Sequence, residues 1–483
     1  MNKTELVFVP TPARGHIVTE IEFAKRLCER DRGLSITILL IKSLSPKLDS
    51  YIQELASSID VSNIKFINLP HVDPPPRELK NSNLNFFAAY IEKHKSLVKD
   101  AIKNHVLSKS STQLVVLVVD LLCNSMIDVG NELGIPSYVF FTISASFLGL
   151  MLYIPFRHSQ IGTEFSISDP DSIIPTYINP VPSRVLPSYL LDKNGGYSTF
   201  LSHGLQFKKA KGFIINTFVE LEHHAVNSLE SDKESPKIYT VGPVLNLDGI
   251  QKQIESDPNV IMKWLDNQPS SSVVFLCFGS LGGFEPPQLA QIAIALEKSG
   301  YRFLWSVRPP PSKEAKPNDY SKFSKVLPKG FLERTENRGF VCGWAPQVDI
   351  LGHDAVGGFV SHCGWNSILE SLWNGVPIAT WPIYGDQQCY AFQLVKDLEI
   401  AVELTLDYRF ENSDKLVMAD EIEKAIKCLM DSENPVRKRV REIGEKGRKA
   451  LMDGGSSNIS LGRFLEDISV NKSEESVDAA RPT

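Results

Sequence analysis

Residues 344–387 read WAPQVDILGHDAVGGFVSHCGWNSILESLWNGVPIATWPIYGDQ. The apolar run Gly358–Ser361 predicts a buried strand, and the turn HCGWNS after it leads into an amphipathic helix over Asn366–Trp373. A second short apolar run, Pro377–Trp381, predicts the next strand. Strand, helix and strand in this order are typical of a parallel sheet covered by helices, so this stretch places the chain in the α/β class.

The same alternation extends outward through both halves of the chain. The N-terminal half has apolar runs at Leu6–Pro10 and Gln113–Leu122 with a long amphipathic stretch between them, Asn83–Val106, that predicts one helix. The pattern restarts with a strand at Val273–Cys277. Two such series predict two doubly wound, Rossmann-like domains facing a cleft.

The domain boundaries follow from composition. A chain of 483 residues is long enough for at least two domains, at roughly 100–200 residues each. We predict a first domain over residues 1–245 and a second over 259–470. The polar, Gly- and Asp-containing segment 246–258 is interpreted as the linker, and the polar tail 471–483 as disordered.

Charge and cysteine content exclude several classes of protein. The net charge of −6 gives no electrostatic case for a nucleic acid or an anionic membrane as partner. The seven cysteines are an odd number without a Cys-x-x-Cys pair, which indicates reduced thiols in a cytoplasmic protein. The uncharged stretch Leu133–Phe156 contains Pro136 and Pro155, and we interpret it as a buried strand and helix without stable membrane insertion.

The stretch from Trp344 to Gln387 resembles the signature box of plant secondary-product UDP-glycosyltransferases without a gap. Three further motifs carry the resemblance across nearly the whole chain: VFVPTPARGH, VVDLLC and FLCFGS. The resemblance implies the GT-B arrangement of two domains and transfer of a sugar from a UDP-sugar. The subgroup that it resembles most acts on flavonoids, simple phenolics and in some cases terpenoids.

A UDP-sugar presents a flat uracil, a ribose diol, two phosphates and a hexose, and the box offers a partner for each. Aromatic stacking suits the uracil, carboxylate and amide groups suit the diol, and backbone N–H groups at a helix start suit phosphate. These considerations and the resemblance predict Trp344 and Ala345 for uracil, Gln347 and Glu370 for ribose, and His362, Gly364, Asn366, Ser367 and Ser280 for the phosphates. The resemblance adds Trp365, Asp386, Gln387 and Thr142 for the sugar, and the Gln at position 387 favours glucose.

The acceptor hydroxyl must lose a proton as it attacks the anomeric carbon, and a neutral imidazole held by a carboxylate is suited to this step. His16 follows the first predicted strand and Asp120 lies near the end of the Gln113–Leu122 strand, so both fall at the edge where α/β proteins bind ligands. The resemblance assigns the base to His16 and the supporting carboxylate to Asp120. A single displacement with one base implies inversion at the anomeric carbon.

We expect no metal and no cofactor beyond the co-substrate UDP-glucose. The one Asp-x-Asp pattern, Asp169-Pro170-Asp171, lies in a polar segment and is interpreted as a turn. The expected partners are the UDP-sugar and a small phenolic, flavonoid or terpenoid acceptor, bound by a monomer.

Other readings remain open. The acceptor could be a triterpenoid or a hormone-like molecule, and the donor another UDP-sugar. A dinucleotide oxidoreductase is disfavoured, because neither TPARGHI nor GSLGGFEP gives Gly-x-Gly-x-x-Gly. A non-catalytic binder of UDP-sugar or phenolics is the remaining class.

Overall fold

The computed structural model describes residues 3–109, 112–233, 235–247, 258–280, 282–308, 323–410 and 415–478. Two parallel sheets form its framework. The strands of the first are β1 Lys3–Val9, β2 Leu34–Leu40, β3 Ile64–Asn68, β4 Thr112–Asp120, β5 Ser137–Phe141, β6 Gly212–Ile215 and β7 Lys237–Thr240. Those of the second are β8 Val273–Cys277, β9 Arg302–Ser306, β10 Gly339–Cys342, β11 Val356–Ser361, β12 Ile378–Thr380 and β13 Ala401–Glu403.

Helices connect the strands and cover both sheets. In the first half they are α1 Arg14–Arg30, α2 Pro46–Ser58, α3 Asn83–Glu92, α4 Lys95–Ile102, α5 Ile127–Leu133, α6 Ala145–Ile161, α7 Gly196–Phe207 and α8 His223–Ser231. In the second half they are α9 Pro258–Asp266, α10 Pro286–Ser299, α11 Phe331–Thr335, α12 Gln347–Leu351, α13 Trp365–Trp373, α14 Gln387–Phe392, α15 Ala419–Met430, α16 Pro435–Leu451 and α17 Ser456–Asp478.

Strand order confirms the prediction of two doubly wound domains. The first sheet runs β3-β2-β1-β4-β5-β6-β7 and the second runs β10-β9-β8-β11-β12-β13. The order reverses between β1 and β4 in one sheet and between β8 and β11 in the other. Ligands of doubly wound sheets bind beyond the carboxyl ends of the strands at such a reversal, so each domain offers one site.

The core lies between the sheets and their covering helices. The central strands β5 and β8 are buried along their whole length, as expected for a parallel sheet covered on both faces. The uncharged stretch Leu133–Phe156 forms β5 and most of α6 as predicted. None of the helices in the described ranges is long and apolar enough to cross a membrane.

The predicted helix over Asn83–Val106 is broken in the structure. It ends as α3 at Glu92 and resumes as α4 at Lys95, and a π-helical turn follows at Lys103–Leu107. At the break, His94 Nδ1 lies 2.9 Å from the carbonyl oxygen of Tyr90. The backbone N–H of His94 donates instead to Ile91 O. The side chain thus takes the carbonyl that the helix would have used, which apolar spacing does not reveal.

The C-terminal helix returns to the first domain. The ring of Phe464 in α17 packs edge-on against Tyr138 at 5.2 Å and against Tyr239 at 5.3 Å. Asp467 accepts a hydrogen bond from Tyr239 Oη at 2.6 Å and pairs with Lys237. The sequence assigns residues up to 470 to the second domain, whereas the structure places this helix on the first sheet.

The predicted linker and the predicted C-terminal tail lie partly outside the described residues. Residues 248–257, which make up most of the predicted linker, lie outside the described residues. The final helix reaches Asp478, where the sequence predicts a disordered tail from residue 471. Residues 479–483 also lie outside the described part of the chain.

Candidate active site

The two strand-order reversals face each other across a cleft of about 1260 Å³. His16 and Thr142 of the first domain and the predicted donor-site residues of the second line this one cleft. The second-domain residues are Ser280, Trp344, Ala345, Gln347, His362, Gly364, Trp365, Asn366, Ser367, Glu370, Asp386 and Gln387. The structure therefore brings together residues that are far apart in the chain.

His16 and Asp120 form a hydrogen-bonded pair at the first reversal. His16 lies in the first turn of α1 and Asp120 is the last residue of β4. His16 Nδ1 is 2.7 Å from Asp120 Oδ2. The other oxygen, Oδ1, accepts hydrogen bonds from Thr11 Oγ1 at 2.5 Å and from the Leu122 N–H at 2.9 Å. Because Asp120 is fully buried, these contacts fix its orientation and direct it at the imidazole.

The pKa values of His16 and Asp120 are shifted in opposite directions. Burial lowers the pKa of His16, but the charge of Asp120, the hydrogen bond to it and the charge of Asp386 outweigh burial and raise it. Burial raises the pKa of Asp120, but His16, Thr11 and the Leu122 N–H outweigh it and lower it. The carboxylate therefore keeps its charge and stabilises a proton on the imidazole.

Thr142 lies beside this pair. Its Oγ1 is 3.1 Å from His16 Nδ1, and the side chain is buried at the end of β5. The hydroxyl therefore contacts the same ring nitrogen that faces Asp120. The predicted contact of Thr142 with sugar stays a prediction.

His362 at the second reversal differs from His16. Burial lowers its pKa to about 4, and a hydrogen bond to the backbone of Cys277 opposes this only in part. His362 is one of the residues predicted to bind the phosphates; because its imidazole is held neutral, it offers a hydrogen bond and no positive charge. A Cβ added at Gly279 or Gly364 would lie 2.5 or 2.6 Å from His362 Nε2, which explains why both positions are glycine.

The residues predicted for ribose form one connected group. Gln347 Nε2 donates to Glu370 Oε2 at 2.6 Å and to Ser367 Oγ at 2.8 Å. Burial raises the pKa of Glu370 to about 7, although the bond from Gln347 lowers it. Trp344, half-buried, has the Arg14 guanidinium 5.9 Å from its ring centroid. Arg14 of the first domain thus reaches the donor side of the cleft.

Asp386 and Gln387 are held in place at the far end of the box. Tyr390 Oη donates to Asp386 Oδ2 at 2.6 Å. Burial raises the pKa of Asp386, and the Tyr390 bond works against that rise. Gln387 Oε1 accepts the N–H groups of Ile383 at 2.9 Å and Tyr384 at 3.1 Å. The carboxyl and the amide therefore face the cleft with fixed orientations.

Two box residues use their side chains to join the domains. Trp365 Nε1 donates to Asn216 O at 2.7 Å, and Asn366 Nδ2 donates to Gly15 O at 3.1 Å. Sequence reasoning missed both contacts, as well as the role of Tyr390, because no local spacing indicates a bond to the other domain. The motif TPARGH could have suggested that the turn holding Gly15 approaches the box.

Within the described ranges, no group of three or more His, Cys, Asp or Glu side chains is arranged to hold a metal ion. The seven cysteines are all free thiols, and only Cys428 is exposed.

Comparison with known proteins gives one consistent result. The family model described as UDP-glucoronosyl and UDP-glucosyl transferase matches residues 240–433. UDP-glycosyltransferase 71K1 of Malus domestica is 50% identical over 478 residues, which cover 97% of this chain and 99% of the relative. Flavonol 3-O-glucosyltransferase UGT71C4 of Arabidopsis thaliana is 45% identical over 481 residues, covering 97% and 98%.

A solved structure extends the likeness to three dimensions. UGT71G1 of Medicago truncatula, complexed with UDP-glucose, superposes with a TM-score of 0.87 at 45% identity, covering 96% of this chain and 98% of that one. The two facing Rossmann-like domains are therefore the GT-B fold of the plant enzymes. With identities of this size over nearly its whole length, the chain belongs to the UDP-glycosyltransferase family and is a UDP-glycosyltransferase.

Proposed function

We propose that the protein transfers glucose from UDP-glucose to a hydroxyl of a small plant phenolic, a flavonoid above all, with inversion at the anomeric carbon. The observation that carries the proposal is the His16–Asp120 pair, 2.7 Å apart, which faces the Gln347–Glu370 group across one cleft. A base on one wall and a nucleotide-sugar site on the other are the two parts that a direct displacement needs.

His16 is the base of this mechanism. The N–H at Nδ1 donates a hydrogen bond to Asp120, which leaves Nε2 with its lone pair free. Nε2 removes the proton of the acceptor hydroxyl while the oxygen forms a bond to the anomeric carbon. The bond between that carbon and the diphosphate oxygen breaks, and UDP leaves with the electron pair. Asp120 stabilises the imidazolium that results.

The donor contacts are proposals residue by residue. Trp344 stacks on the uracil and the Ala345 backbone bonds its edge. Gln347 and Glu370 bind the ribose hydroxyls. The start of α13 holds the phosphates through backbone N–H groups, together with residues that follow β8 and β11 at the second-domain reversal. The residues proposed to bind the phosphates are His362, Gly364, Asn366, Ser367 and Ser280.

Asp386 and Gln387 bind the hexose hydroxyls, with Trp365 and Thr142 forming the wall beside them. The side-chain bonds of Trp365 and Asn366 to the first domain leave mainly their backbone to meet the donor. Glucose is proposed because Gln387 occupies the last box position, and because relatives such as UGT71C4 are named glucosyltransferases.

The flavonoid acceptor is proposed from the names of two relatives. A putative UDP-glucose flavonoid 3-O-glucosyltransferase 3 of Fragaria ananassa is 50% identical, beside the flavonol enzyme already described. We further propose that the protein acts as a cytoplasmic monomer without metal or cofactor. Size-exclusion chromatography with light scattering tests the monomer, and activity in excess chelator tests the metal.

The experiment is incubation of the purified protein with UDP-glucose and a panel of flavonoids, simple phenols and triterpenoids, followed by mass spectrometry. One hexose added to flavonoids, with the β-linkage in the product by NMR, is the expected result. Transfer to triterpenoids alone would overturn the acceptor class, and transfer only from another UDP-sugar would overturn the donor. UDP-glucose binding without any product would indicate the non-catalytic reading.

A further inference from the structure

A second carboxyl group lies behind the catalytic pair. Glu20 is one helical turn after His16 on α1, on the same side of the helix, and it is fully buried. Neither of its carboxyl oxygens accepts a hydrogen bond from an N–H or O–H group of a described residue. A buried ionised carboxylate without a donor or a counter-charge is strongly disfavoured.

The group that acts on the Glu20 carboxyl is the Asp120 carboxyl, both through its charge and through a side-chain hydrogen bond. Two carboxyl groups in contact in a dry interior do not both ionise. Asp120 is the one that stays charged, because His16, Thr11 and the Leu122 N–H all stabilise its charge. These three donors fill three of the roughly four acceptor positions of a carboxylate, and one remains.

We propose that Glu20 is a positioning residue for the transfer reaction: it carries a proton at neutral pH and donates it as a hydrogen bond to Asp120. This inference rests on the proposed role of His16 as base. The hydrogen bond from Glu20 stabilises part of the negative charge of Asp120. Asp120 therefore holds a proton on the His16 imidazole less strongly than it would without this bond. An ionised Glu20 would instead add a second negative charge beside His16 and keep it protonated.

The pKa values agree with this arrangement. Burial, together with the charge and hydrogen bond of Asp120, raises the pKa of Glu20 well above its ordinary value. Two other titratable groups near this cluster are uncharged at neutral pH. Burial raises the pKa of the Cys123 thiol and lowers that of His203 to about 4. Asp386 acts on His16 from across the cleft.

The test compares three variants by the pH dependence of kcat/KM for the acceptor. Glu20→Leu keeps the volume and removes the donor, so the acid limb should move to higher pH by roughly half a unit. Glu20→Gln keeps a donor in its amide and should leave the limb near that of the wild type. Glu22→Gln is the matched control, since Glu22 lies on the same helix and pairs with Lys25.

Infrared difference spectra give a readout independent of activity. Wild type minus Glu20→Gln at neutral pH should show the C=O stretch of a protonated carboxyl. No such band, or an acid limb unmoved in Glu20→Leu with normal UDP-glucose binding, would overturn the proposal. Should Glu20→Leu lose UDP-glucose binding through misfolding, the infrared band and the Glu20→Gln profile still decide.

Failure of the function and failure of this inference are distinguishable. Substantial turnover in His16→Ala would show that His16 is not the base, and the proposal for Glu20 would fail with it. An inactive His16→Ala together with unshifted Glu20 variants would reject Glu20 alone.

Discussion

The two domains each place a histidine at the reversal of strand order, His16 half-buried and His362 buried, and the two side chains have opposite electrostatics. His16 faces a fixed carboxylate and its pKa is raised, whereas burial lowers the pKa of His362 to about 4. Burial alone favours the neutral ring in both places. The comparison shows that the partner, and not the depth of burial, decides which histidine can hold a proton. A base and a neutral hydrogen-bonding group are therefore built from the same side chain.

The largest expected effect comes from replacing His16, the histidine that faces a carboxylate. His16→Ala should lower kcat by about 10²–10⁴-fold, the range for loss of a general base. Calorimetry with UDP-glucose should show nearly unchanged affinity, because all the proposed donor contacts except Thr142 lie on the other domain. His224→Ala, in the exposed part of α8, is the control. Near-normal turnover in His16→Ala would exclude His16 as the base.

Removing the partner itself should make His16 resemble His362. Asp120→Asn takes away the charge that raises the pKa of His16 while burial remains. The imidazole therefore becomes deprotonated at lower pH, and the acid limb of kcat/KM should move down. Turnover should also fall by about a hundredfold or more, because the tautomer is no longer fixed. A limb that stays in place would show that Asp120 does not set this pKa.

An intermediate effect is expected at Glu370, whose pKa burial raises to about 7. Ribose hydroxyls donate to the carboxylate, which prevails above this pH, so affinity for UDP-glucose should increase from pH 6 to pH 8. Glu370→Gln should abolish this dependence, and Glu370→Ala should weaken binding by about 1–3 kcal/mol. UDP-glucose is the right probe because both its phosphates are esterified and do not titrate in this range. Equal affinity of wild type and Glu370→Ala in calorimetry would argue against the ribose contact.

The smallest effect is expected at Tyr390. Tyr390→Phe removes one hydrogen bond to Asp386 and keeps the ring packed against Trp365 and Phe147. Loss of one such bond is worth about 1 kcal/mol, so the KM for UDP-glucose should rise several-fold with kcat little changed. A change in kcat with an unaltered KM for the donor would place Tyr390 on the acceptor side.

Sequence could predict the second-domain site better than the first because of where its groups lie in the chain. Trp344, Glu370 and Gln387 belong to one continuous stretch, in which Trp344 follows β10, Glu370 lies in α13 and Gln387 begins α14. His16 and Asp120 are in separate motifs; the predicted strand ends place both at the same sheet edge, and the family resemblance is what pairs them.

Contacts between distant segments left no such signal. The Glu20–Asp120 contact joins a helix to a strand that follows much later, and the Asn366–Gly15 bond crosses the cleft. The break at His94 depends on one side chain competing with the backbone, which periodicity cannot detect. These features arise from tertiary packing and not from the local pattern.

The return of α17 to the first sheet has a consequence for exchanging parts between related enzymes. Ser457 Oγ donates to Gly242 O at 2.6 Å, so the chain leaves the first domain and comes back to it at one place. Leu461, Phe464 and Ile468 belong to the hydrophobic core of the first domain. A chimera cut only near residue 250 would pair one parent's sheet with the other parent's final helix. The exchangeable unit is therefore residues 1–245 together with 456–478, and the second domain is an insertion within it.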